Sequence, residues 1–134
     1  MALSESALSE LRAAIARLDE RVEAMMTPFR AARELITTIP GIQQRSAEII
    51  LAEIGVDMTR FATAGHLASW AGVCPGNNES AGKHRSGRTR HGDKWLRIAL
   101  VEAGQAAGRS KNTYLSAQYH RIRGQRGPSR VLAA

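Results

Sequence analysis

"ARELITTIPGIQQRSAEIILAEIG", residues 32–55, sets two apolar-periodic segments on either side of Ile39-Pro40-Gly41-Ile42. Proline fixes φ and donates no hydrogen bond, while glycine enters left-handed backbone freely, so the pair predicts a tight turn. One helical segment runs up to Thr38 and a second runs on to Gly55, a natural C-terminal stop. Composition agrees with this helical corner. Aromatic residues make up only 4% of the 134-residue chain while alanine and leucine are abundant, which suits helices with narrow packing faces better than a β-sandwich or barrel. With 43% hydrophobic residues the chain can bury one modest core, and the expected fold is mostly α.

Upstream, Leu8, Leu11, Ile15, Leu18, Val22, Met25 and Phe29 recur by threes and fours with charged residues between them, the pattern of a coiled-coil seam. Residues 1–29 are expected to form one long coiled-coil helix, ended or kinked near Pro28. A helix so long and thin-faced is rarely stable alone. The stripe therefore pairs with a partner chain or folds back on this one, and self-association into a homo-oligomer is the stronger expectation.

Downstream, "MTRFATAGHLASWAGVCPGNN" (58–78) predicts a turn, a helix from about Thr63 to Ala71, and a loop opened by Gly72 and Pro75-Gly76, with Phe61, Leu67 and Trp70 in the core. From Asp93, placed as a cap, "DKWLRIALVEAGQAAG" (93–108) restores helical periodicity through Trp95, Leu96, Ala99, Leu100 and Ala103. A further helix covers "TYLSAQYHRIR" (113–123), and the tail 128–134 reads as cut short. Residues 30–127 are thus expected to form a small helical domain.

The net charge of +7 is unevenly placed. Residues 1–62 hold seven Lys/Arg against nine Asp/Glu, and residues 63–134 hold twelve against three. A polyanion would meet the second half, and a pI near 10.7 favours nucleic acid, since each phosphate neutralised releases a condensed counterion. Cys74 is the only cysteine, which excludes an internal disulfide or a thiolate zinc cluster and suits a reducing compartment. His66 has no second ligand at metal-binding spacing and is expected to be a surface or half-buried histidine. The N-terminus lacks the basic start and apolar block of a signal peptide, and no stretch approaches the ~20 apolar residues of a membrane span. A soluble, cytoplasmic protein is expected.

"NNESAGKHRSGRTRHGDKWLR" (77–97) gathers half of the second half's Lys and Arg in 21 residues: Lys83, Arg85, Arg88, Arg90, Lys94 and Arg97 against Glu79 and Asp93. It predicts a long basic loop, residues 76–92, kept pliable by Gly82, Gly87 and Gly92. Guanidinium groups bond phosphate oxygens in pairs, so such a loop would follow a phosphate backbone and give affinity without sequence choice. Ser80 and Ser86 sit among these cations. An unaided serine is a poor nucleophile, and its ordinary role in a Gly/Asn-rich loop is to turn the chain. Beside several arginines, charge developing on an attacked phosphodiester is offset, which makes phosphoryl transfer to serine conceivable.

The corner at 31–55 resembles the helix-hairpin-helix motif, whose Pro-Gly turn aims backbone N–H groups at a phosphate. Gly41 and Gln43 are the DNA-binding candidates there, Gln43 standing where most such motifs have a second glycine. On a wider scale, "LITTIPGIQQRSAEIILAEIG", "LASWAG" before a Pro-Gly, "SAGK" and "GDKWLR" follow one another in the order found in the C-terminal domain of bacterial DEDD-type transposases, the bridge-RNA-guided insertion-sequence recombinases. The resemblance spans about residues 8–125. It implies a DNA recombinase in which an N-terminal RuvC-like domain holds Mg²⁺ by four carboxylates, a coiled coil joins protomers, and the C-terminal domain supplies the serine that attacks DNA. The serine before the small-Gly-Lys run matches Ser80, and Ser86 is the weaker candidate. Lys83, Arg85, Arg88, Arg90, Lys94 and Arg97 would hold the scissile strand.

No strand-borne carboxylate set of a RuvC-like half is legible in this sequence, and Glu53, Asp57, Glu79, Asp93 and Glu102 lie at no metal-binding spacing. The expectation is a transposase part, at home in a bacterial nucleoid, that binds DNA, and in the complete protein a guide RNA, but does not cut alone. Three rival readings remain. The chain is a non-catalytic helix-hairpin-helix binding module; or it is akin to the helix-hairpin-helix protein of the small ribosomal subunit, on the strength of the hairpin and "RGQR" (123–126); or it is a coiled-coil adaptor whose cations serve solubility.

Overall fold

The computed structural model describes residues 4–74, 76, 78–80, 82–86 and 89–126, with 78–80, 83–86 and 126 described by their backbone. The fold is mostly helical, and the chain divides into two compact units, residues 1–31 and 32–134.

The first unit is the helix α1 (Glu5–Met26). Ser4 caps it by accepting from the Ala7 N–H at 3.3 Å, and Glu5 lies in the first turn, where a carboxylate meets the positive end of the helix dipole. Pro28 falls in a single 3₁₀ turn, Thr27–Phe29, directly after α1, the place where its missing N–H interrupts the helical ladder. The apolar stripe is open to solvent: Leu11, Ile15, Leu18 and Met25 are all more than half exposed.

In the second unit, α2 (Arg30–Thr37) leads into the Pro-Gly turn. Thr37 and Thr38 turn their hydroxyls onto the carbonyls of Glu34 and Leu35, supplying donors to the fraying helix end. The Ile42 N–H donates to Ile39 O at 3.1 Å across Pro40 and Gly41, and Gly41 has φ +93°, the signature of a type II turn. Helix α3 (Gln44–Ile54) follows and stops at Gly55, φ +68°. A 3₁₀ turn at Met58–Arg60 precedes α4 (Ala64–Trp70), capped by the Thr63 hydroxyl. Helix α5 (Lys94–Arg109) is capped by Asp93, whose carboxylate accepts the Leu96 N–H at 2.7 Å, and α6 (Tyr114–Arg126) packs back on α5.

The core lies between α3 and α5. Ile50, Ile54, Ala71, Leu96 and Ala99 are buried together, and Ile36, Ile42, Phe61, Leu67 and Val73 close around them. Helix α5 contributes Ala99, Ala103 and Ala107 at four-residue spacing, a stripe small enough for neighbouring backbone to approach closely. Gly41 shows how closely. A Cβ there would stand 2.6 Å from the Ala107 nitrogen and nearer still to the Ala103 carbonyl, so the turn is seated directly on α5.

One expectation needs correction. Trp70 is not a core residue: it is 40% exposed, its ring tilted against Phe61 at 5.8 Å between centroids. At the start of α5 the inward position is taken by Leu96, 1% exposed, and its neighbour Trp95 is 60% exposed.

One cluster went unread in the sequence. Glu48, 6% exposed, accepts from Arg33 at 3.3 Å, Gln44 at 2.9 Å and Arg45 at 3.0 Å. These bonds tie α2 to α3 and supply partners to a carboxylate that burial would otherwise penalise heavily. Only the spacings within α3, Gln44–Glu48 by four and Arg45–Glu48 by three, were legible as helical pairs.

Candidate nucleic-acid interface

The basic segment is closed at its base. Chain leaving α4 at Gly72 and chain re-entering α5 at Gly92 cross with their backbones in contact. A Cβ on Gly72, φ +71°, would meet the Gly92 nitrogen at 2.8 Å, and one on Gly92 would meet Ala71 C at 2.6 Å. The Asp93 N–H donates to Trp70 O at 3.0 Å beside this crossing. Gly92, expected to keep the loop pliable, instead permits a tight neck.

Within the neck the chain is not a plain loop. Two short strands, β1 (Asn78–Ser80) and β2 (Lys83–Ser86), pair antiparallel. Gly82, φ +73°, takes the left-handed position of the connecting turn, where a side chain would be strained. The register sets Ser80 opposite Lys83, Glu79 opposite His84, and Asn78 opposite Ser86, with an irregularity between Asn78 and Glu79. Ser80 thus stands at the turn end of the hairpin and Ser86 at its base.

The remaining candidates fall in two places. Arg90 is exposed on the return from the hairpin, and Lys94 and Arg97 are exposed on the first turn of α5, with the Lys94 ammonium 5.2 Å from the Trp95 ring centroid. Arg88 lies outside the described residues, as do the side chains of Ser80, Lys83 and Arg85. Gly41 and Gln43 belong to a different end of the molecule. The Pro-Gly turn sits over Ala103 and Ala107, some eight residues or about 12 Å along α5 from Arg97. The need for glycine at 41 is met in full by that packing, whereas Gln43 is exposed and leaves the first turn of α3 without a side-chain cap. His66 is exposed and Cys74 half-buried.

Glu53 of α3 faces Asp93 at the neck. Its carboxyl is pushed above the usual glutamate range, first by desolvation and then by the charge of Asp93 and a hydrogen bond with it. A raised carboxyl pKa favours the fold while the group is protonated, so that contribution is present below the ordinary value of 4.5 and is lost as pH rises through the folded value. Glu53→Gln, which keeps the shape and removes the charge, is expected to raise Tm slightly at pH 7 and to leave it unchanged in acid, as thermal melts across pH would show.

Among the described residues no three His, Cys, Asp or Glu side chains converge to hold a metal ion, and no described helix is long and apolar enough to cross a membrane.

Comparison with known proteins matches residues 33–121 to the transposase domain of the IS116/IS110/IS902 family. The chain is 32% identical over 129 residues to the 43.6 kDa protein of insertion element IS110 from Streptomyces coelicolor, covering 93% of this chain and 30% of that protein. It is 36% identical over 83 residues to a protein of the same organism named as the mini-circle transposase for IS117, covering 60% of this chain and 20% of the relative. The chain therefore spans less than a third of the length of either relative. No solved structure matches it.

Proposed function

This chain belongs to the IS116/IS110/IS902 transposase family, and we propose that within such an enzyme it grips the DNA backbone and supplies Ser80 as the nucleophile of phosphodiester exchange. The observation that carries this reading is the hairpin register: Ser80 stands opposite Lys83 at the turn end of a basic excursion whose base is fixed by the Gly72–Gly92 crossing. A nucleophile held on a short hairpin with a tight neck is confined relative to Arg90 on the return segment and to Lys94 and Arg97 at the start of α5, which is what positioning requires.

The chemistry balances. The Ser80 oxygen forms a bond to phosphorus as a P–O bond to a DNA oxygen breaks, and the proton given up by serine passes to the departing DNA hydroxyl. A DNA hydroxyl later reverses the step. One phosphodiester is exchanged for another, so no external energy source is needed, while Lys83, Arg85, Arg88 and Arg90 offset the charge that grows on the phosphate oxygens.

Other parts of the reading follow. The exposed stripe of α1 joins copies of the chain as a coiled coil. Gln43 and the uncapped start of α3 lie against a second phosphate, in the manner of a helix-hairpin-helix. Mg²⁺ and its carboxylates belong to a RuvC-like half, and a guide RNA to the complete protein, so this chain by itself is expected to bind DNA without cutting it.

DNA binding measured against salt tests the core of the proposal. Contact with about four to six phosphates gives a log–log slope of roughly −4 to −5. A slope near −1 would make the cations mere solubility charge and remove the nucleic-acid reading.

A further inference from the structure

We propose that the elbow between α5 and α6 is a further phosphodiester-binding site, one that holds the DNA backbone at the far end of α5 from the serine hairpin; it rests on the DNA-binding reading above. The elbow is rigidly made. Helix α5 closes with the Ser110 N–H shared between Ala106 O and Ala107 O, Asn112 turns the chain at φ +57°, and the Thr113 hydroxyl accepts the Ser116 N–H at 3.1 Å to start α6. The two helices touch at Gly108, where a Cβ would stand 2.7 Å from the Tyr119 ring, and the Ser116 hydroxyl donates to Gly108 O at 3.2 Å.

This frame surrounds an open concavity of about 440 Å³. Arg109 from the end of α5, Lys111 from the turn, and His120 and Arg123 from α6 reach it, and no carboxylate lines it. Among the described residues none of these three permanent cations is ion-paired. Nor does α6 offer compensation, since Tyr114–Arg126 contains no acidic residue. Like charges gathered in a concavity repel one another and raise the local concentration of anions. Two guanidinium forks and an ammonium match the oxygens of phosphate groups. The concavity is open along one side and its cations are spread over two helices and a turn, which suits a continuous strand better than a single small anion.

Spacing supports a shared strand. Helix α5 has 16 residues and is about 24 Å long, so the elbow and the neck of the serine hairpin are separated by about seven base pairs of B-DNA. One duplex lying along α5 would reach both.

The test compares the wild-type chain with Lys111→Gln and with Lys111→Gln/Arg123→Gln. Both positions are exposed, and thermal melting verifies that the fold is kept. Duplex DNA and duplex RNA are titrated separately over a range of salt, and the DNA complex is footprinted with hydroxyl radicals. Loss of two phosphate contacts makes the DNA salt slope shallower by about 1.8, and the single variant by about half of that. The double variant is also expected to bind DNA roughly tenfold more weakly at low salt and to lose protection at one end of the footprint, about seven base pairs from the part held by the hairpin. A steep wild-type slope with unchanged slope and affinity in the double variant would overturn the elbow site and leave the DNA-binding reading standing. A loss confined to RNA would overturn the assignment to DNA. A wild-type slope near −1 would overturn both readings together.

Discussion

Replacing Gly92 with alanine is expected to lower the stability of the chain by about 3 kcal/mol, a fall in Tm of about 10–15 °C. The added methyl has nowhere to go. Its nearest neighbours are backbone atoms of Ala71 and Gly72, which cannot swing aside as a flexible side chain can. Relief requires the two ends of the basic excursion to separate, and that strains the Asp93 N–H bond to Trp70 O and disturbs the Asp93 cap of α5. Gly82→Ala is the matched control. Its φ of +73° is unfavourable for alanine, yet a Cβ there meets nothing within 4 Å, so the cost is held to about 1–2 kcal/mol. Calorimetry on the two variants separates a space requirement from a conformational one. Equal melting temperatures would mean that the neck yields.

Ser80→Ala is expected to abolish the covalent protein–DNA species in an enzyme that joins this chain to a RuvC-like half, with cognate DNA and Mg²⁺. Removal of a nucleophile costs on the order of 10³-fold or more in rate, because no neighbouring group takes over its bond to the reacting centre. DNA affinity should stay within about twofold, since the hydroxyl is one polar group among many cations. A denaturing gel reads the covalent band directly. If the band persists in Ser80→Ala and vanishes in Ser86→Ala, the attacking residue lies at the base of the hairpin, opposite Asn78, rather than at its tip. If the joined enzyme folds and binds DNA but neither serine variant nor wild type forms a band, the excursion is a phosphate clamp and the binding-module reading replaces the catalytic one.

Both outcomes turn on how the excursion is held, and this part of the molecule was least legible beforehand. Helices α2 to α5 could be read from residues near one another in the chain. The Pro-Gly turn, the stop at Gly55 and the caps at Thr63 and Asp93 each depend on hydrogen bonds or φ preferences within about four residues. The hairpin gave no such signal. Its strands carry polar and charged residues without the apolar alternation that marks a half-buried strand, so residues 78–86 read as loop. Its pairing is favoured because the neck already brings the chain back on itself.

The tryptophans teach a related point. Trp70 falls in a helical, apolar-rich stretch, and size and hydrophobicity alone place it inside. It is 40% exposed. Gly41 and its turn press against Ala103 and Ala107, which sets small residues on the inward face of α5, and at its first turn Leu96 takes the buried position while Trp95 stays at the surface.

What the sequence by itself determined is the set of helices, their caps and turns, and the basic character of the chain between α4 and α5, since these depend on local bonding and on charge counts. Only the tertiary structure decided which face of each helix is buried, that Gly41 and Gly92 are glycines because backbone meets backbone, and that Ser80 stands across from Lys83. Those outcomes arise where residues distant in the chain compete for the same space, and local propensity carries no information about that competition.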